Sequence, residues 1–82
     1  MYKAKYVMFD TFSGYVPIIF PPTLSHAELR NKFPNWDVVS AGFVQWEEEG
    51  IFAYGDSVSL NKKSRPEDTN YIRRYMGLAP ND

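Results

Sequence analysis

The densest set of anion-binding side chains follows the run Tyr54-Gly55-Asp56-Ser57-Val58-Ser59-Leu60 and continues through Lys62, Lys63, Ser64 and Arg65. Hydroxyls from a strand, two ammonium groups from a loop and a guanidinium at a helix start converge there. A helix N-terminus presents unpaired N–H groups and a partial positive charge, so nearby Ser, Lys and Arg suffice to hold a phosphate or carboxylate. Ser57, Ser59, Lys62, Lys63, Ser64 and Arg65 are therefore the candidate residues for an anionic, nucleotide-type ligand. The same stretch also reads as an ordinary strand, a solvated loop and a capped helix. It lacks the glycine spacing and the Gly-Lys-Ser/Thr ending of a phosphate loop.

A second constellation suits a protein partner. Trp36, Trp46 and Tyr54 are types enriched at interfaces, and Glu47, Glu48 and Glu49 form an acidic hairpin tip beside them. Either this tip is simply solvated or it docks on a basic surface. Catalytic chemistry has less to work with. His26 is the single histidine and is expected at the surface, and a triad with Ser57 and Asp56 has no nucleophile-elbow spacing behind it. Asp10, Asp37, Asp56, Glu67 and Asp68 fit caps and turns better than a shared acid/base pair. Cysteine is absent, which removes thiolate metal sites, disulfides and cysteine nucleophiles. The expectation is a non-enzymatic binding protein with no metal and no cofactor.

The elements that would position these groups follow from periodicity. Residues 2–10 alternate as a strand, with Tyr2, Ala4, Tyr6 and Met8 on one face and Lys3, Lys5, Val7 and Phe9 on the other. Thr11-Phe12-Ser13-Gly14 turns the chain into a second strand over 15–20, where Pro17 calls for an edge position. Ser25 and Glu28 write a capping box, with Leu24 and Leu29 as a staple, for a helix from 26 to about 33. A second hairpin over 36–60 turns at Glu48-Glu49-Gly50. Its last strand, 51–60, sets Phe52, Tyr54, Asp56, Val58 and Leu60 on one face, so Asp56 needs either a bulge at Gly55 or a donor. Ser64 and Glu67 suggest another capping box, leading a helix through Tyr71, Ile72, Tyr75 and Met76 to a left-handed cap at Gly77, after which Leu78 folds back on Ile72. The sum is an α+β fold of order ββαββα: a four-stranded, mainly antiparallel sheet with two short helices packed on one face.

The 82 residues allow one domain, 1–82, too small for a dinucleotide-binding or barrel fold. Nine basic against ten acidic residues leave a charge of −1, which disfavours binding nucleic acid through net charge alone. Arg73 and Arg74 would have to join Lys62, Lys63 and Arg65 in one patch for that role. The longest apolar run is broken by Pro17, and the start of the chain lacks a signal peptide's apolar segment, so no membrane association and a cytoplasmic location are expected. Aromatics make up 17% of the residues and supplement a core that is small for its surface. Open sheet edges and that small core suggest a homo-oligomer.

The runs Val39-Ser40-Ala41-Gly42-Phe43-Val44, Tyr54-Gly55-Asp56-Ser57-Val58-Ser59-Leu60 and Ser64-Arg65-Pro66-Glu67-Asp68 resemble small uncharacterised proteins encoded by bacteriophages and prophages. The likeness covers the second half of the chain, and the opening hairpin and short helix fit more loosely. It assigns no catalytic or binding residue. What it implies is a compact accessory protein in a bacterial host, inhibiting host defence by sequestering a nucleotide signal or by gripping a host protein.

Overall fold

A computed structural model describes residues 2–78. The opening hairpin pairs β1 (Tyr2–Thr11) with β2 (Gly14–Phe20), and Phe12 and Ser13 form its two-residue loop. Gly14 takes the positive φ of 98° that closes this turn, and Thr11 Oγ1 donates to its carbonyl at 2.8 Å. After α1 (His26–Asn31) come β3 (Asp37–Glu47) and β4 (Gly50–Tyr54), then a two-rung ribbon of β5 (Asp56–Ser57) and β6 (Lys62–Lys63), and finally α2 (Asp68–Tyr75). The main sheet is antiparallel in the order β2-β1-β3-β4, so the first strand of each hairpin lies at the centre.

The two helices cover opposite faces of the sheet, a correction to the single-face packing expected from sequence. Tyr6 and Met8 join Val44, Ile51 and Ile72 of α2, while Val7 and Phe9 join Phe20, Ala41 and Leu29 of α1. The reason is visible in β1. Tyr6, Val7, Met8 and Phe9 are all fully buried, and a run apolar on both faces needs a layer on each side.

Three local expectations also change. The strand expected over 51–60 ends at Tyr54, because Gly55 turns to φ 79° and the chain leaves the sheet for the ribbon. This exposes Asp56 opposite Lys63 and dissolves the burial problem. Within β4 the inward side is Ile51 and Ala53, packed towards α2, whereas Phe52 and Tyr54 are 38% exposed. Finally, α2 is preceded by Glu67 with no side-chain cap, so Ser64 is not its N-cap. The capping box at Ser25 and Glu28 is present, with both reciprocal hydrogen bonds. Helix α2 closes as expected at Gly77, whose N–H bonds Arg74 O while Leu78 N–H bonds Arg73 O, a Schellman cap. Leu78 is 41% exposed, so it does not bury itself on Ile72.

Both sheet edges are blunted against strand addition. β2 carries Pro17, which has no N–H to offer, and the Ala53 N–H of β4 is taken by Thr69 Oγ1 at 2.9 Å.

Candidate functional site

At the start of α2 the sequence places an anion, and the fold supplies it from within. The Asp68 carboxylate is fully buried, and one of its oxygens accepts from Tyr6 Oη at 2.6 Å, Ser40 Oγ at 2.6 Å and the Arg65 backbone N–H at 3.0 Å. The other oxygen meets Arg65 Nε and Nη2, both at 2.9 Å. Asp68 thus gives Arg65 an anion from within the chain. Burial by itself lowers the Arg65 pKa, but the hydrogen bond and charge of Asp68 outweigh it and the net shift is upward. Burial, then the bond to Asp68, pushes the Tyr6 hydroxyl well above the ordinary phenol range.

Four other members of the candidate anion set share the ribbon, where Ser57 stands directly opposite Lys62. Ser57 is buried, accepts the Leu60 N–H at 3.3 Å and lies 3.4 Å from the Ser59 hydroxyl. Ser59, Lys62 and Lys63 are exposed on the ribbon, and Ser64 bonds Gly55 O through its N–H while its hydroxyl faces Tyr6. The aromatic candidates do not share a surface. Trp36 stacks on Phe33 at the start of β3, whereas Trp46, ten residues on and about 30 Å away along an extended strand, sits against Tyr2 on the α2 side. Tyr54 pairs with Phe43 on the opposite face, and Glu47, Glu48 and Glu49 are exposed around the β3–β4 turn.

His26 is buried, contrary to the sequence expectation. Its ring lies edge-on between Phe20 and Phe43, and Nε2 is 2.9 Å from Gly42 O. A carbonyl only accepts, so Nε2 carries the proton. Desolvation and the charge of Lys5 outweigh the carbonyl bond and lower the His26 pKa. The unfolded chain therefore binds more protons at mildly acidic pH. Stability from this group is complete above the unfolded value of about 6.5 and is lost as pH falls from there to the lower folded value. Urea unfolding of wild type and His26→Gln across pH 5 to 8 should show a wild-type advantage that shrinks as pH falls below about 6.5. A pH-independent difference would contradict it.

The groove that remains open was missed in the sequence. It measures about 690 Å³ and is lined by Asp10, Ser13, Gly14, Tyr15, Tyr71, Arg74 and Tyr75. β1, the hairpin turn and β2 supply one wall and α2 the other. Tyr15 and Tyr71 meet edge to face at 5.4 Å. Arg65, anchored by Asp68, lies 4.8 Å from the Tyr15 ring centre and 5.9 Å from that of Tyr71, and Arg74 lies 5.6 Å from Tyr71. Cations already sit on these rings, so the groove is not a cage for a further cation. Tyr75 is 61% exposed and Arg74 is exposed, leaving an aromatic surface and a guanidinium for a ligand. The spacing of Tyr71, Arg74 and Tyr75 on one helix was a signal; only the fold shows that Tyr15 and Asp10 face it.

No family model, curated protein or solved structure matches the chain. Among the described residues there is no cluster of three or more metal-ligating side chains, and no helix is long and apolar enough to cross a membrane.

Proposed function

We propose that the protein is a non-enzymatic binding protein for a nucleotide-type anion, held in the groove between the first hairpin and α2. The observation that carries this reading is the pairing of exposed tyrosine rings with the exposed Arg74 in one concave surface. A base stacks on a tyrosine with little sequence preference, and a guanidinium binds a phosphate through charge-assisted hydrogen bonds. This keeps the ligand class expected from sequence and moves its site from the ribbon to the groove, since Arg65 is already ion-paired with Asp68. In a bacterial host infected by phage, such binding would act by sequestering a nucleotide signal.

Calorimetric titration with adenosine 5′-monophosphate tests the site. Saturable binding is expected, weakened at least about tenfold by Arg74→Ala and by Tyr75→Ala, with unfolding temperature unchanged because both side chains are exposed. No saturable binding by wild type, or equal binding by Arg74→Ala, would refute it.

One observation favours a second reading as a protein inhibitor. Phe52 and Tyr54 are each 38% exposed on the α1 side of the sheet, next to the exposed acids Glu48 and Glu49. A basic partner would seat its apolar centre there and pair its charges at the tip. Reversing Glu48 and Glu49 to lysine should abolish capture of such a partner and leave the nucleotide groove unaffected. Self-association, if present, would use a side-chain surface, since the sheet edges are blunted; the solution mass decides it.

A further inference from the structure

The nucleotide reading of the groove leaves Asp10 unexplained, and the inference drawn from it rests on that reading. Arg74 on the α2 wall favours an anion, while a carboxylate on the facing wall repels one. Asp10 has no structural return to offset this. It stands directly across from Asp37 in the β1–β3 register, and like charges at such a position destabilise a sheet. Its exposed side chain makes no hydrogen bond or ion pair among the described residues. A local rule broken without compensation marks a position kept for something other than the fold.

A carboxylate accepts hydrogen bonds and donates none. The part of the ligand that meets Asp10 must therefore be neutral and rich in donors, while other parts supply an aromatic ring and a negative charge. The vicinal hydroxyls of a ribose, placed between base and phosphate, meet that description, and acidic side chains hold ribose hydroxyls in this way in dinucleotide-binding folds. Ser13, exposed on the same wall, adds a hydroxyl that can donate or accept. We propose that Asp10 binds the 2′,3′-hydroxyls of a ribonucleotide, so that the groove selects ribonucleotides over their 2′-deoxy counterparts.

The test compares adenosine 5′-monophosphate with 2′-deoxyadenosine 5′-monophosphate on the full chain by calorimetry, for wild type and for Asp10→Ala. Wild type should prefer the ribonucleotide about tenfold, the size of one hydrogen bond to a charged group. Asp10→Ala should bind both alike and should fold at least as stably as wild type, because the opposition to Asp37 is relieved. Equal affinities in wild type, or a preference that survives in Asp10→Ala, overturn the assignment of Asp10 and leave the nucleotide groove standing. Failure of both nucleotides to bind wild type overturns the groove reading itself, and this inference with it.

Discussion

Asp68→Asn is expected to cost about 3 to 5 kcal/mol of folding stability, the range found when one partner of a buried ion pair is removed. Asparagine keeps an acceptor at this position but adds an N–H₂ group that faces donors. Of Tyr6 Oη, Ser40 Oγ and the backbone and Nε N–H groups of Arg65 that now donate to the carboxylate, some must lose their partner. Arg65 is 23% exposed at its side chain and can recover part of its hydration, which places the cost nearer the lower end. Urea unfolding measures it directly. Tyr6→Phe should cost only about 1 kcal/mol, since it removes one donor and leaves Asp68 its others. The double variant should show coupling, because Tyr6 and Asp68 share one hydrogen bond. A change below about 0.5 kcal/mol in Asp68→Asn would mean that the network is not a keystone of the fold. The same variant should weaken nucleotide binding, since Asp68 anchors the guanidinium that lies against Tyr15.

Gly42→Ala should be nearly as damaging, at about 3 kcal/mol, for a purely steric reason. A Cβ at this position would stand 2.5 Å from the Tyr54 carbonyl and 3.4 Å from both Gly55 O and the Ser64 Cβ. The closest of these is backbone, which no rotamer change can move aside. Either the end of β4 separates from β3 or the ribbon lifts, and the first disturbs the carbonyl that His26 bonds. For a domain this small, a loss of that size lowers the unfolding temperature by roughly 12 to 24 °C. Gly14→Ala provides the contrast. Nothing lies within 4 Å of its added methyl, and only the positive φ of 98° is strained, so about 1 kcal/mol is expected. Similar melting temperatures for the two variants would refute the steric account of Gly42.

Much of the architecture was legible because it is encoded locally. The turns at Gly14 and Gly50, the capping box at Ser25 and Glu28 and the left-handed cap at Gly77 each depend on residues within one turn of chain. Their chemistry acts at short range, so reading residue types in order was enough. Failures came where a local signal had a long-range competitor. Ser64 and Glu67 satisfy the capping-box pattern, yet Asp68 takes the Arg65 N–H because Tyr6 and Ser40, far away in sequence, fix its carboxylate in place. His26 looked solvated beside polar neighbours. It is buried because α1 sets it against Phe20, Phe43 and the Gly42 carbonyl.

The sequence by itself determined an α+β chain with a four-stranded antiparallel sheet and two helices, since period, turn residues and caps act over a few residues. It also held the sign of the two-face packing, in the unbroken apolar run of Tyr6, Val7, Met8 and Phe9. Tertiary structure alone decided which anion meets Arg65 and which tyrosines share a groove. Those outcomes depend on the register that brings β1 beside β3 and on the path that carries the chain past Gly42 into α2. A carboxylate within reach in the folded chain competes at an effective concentration no free phosphate attains, so Asp68 takes the Arg65 guanidinium, while the groove lined by Tyr15, Tyr71, Arg74 and Tyr75 is open to solvent.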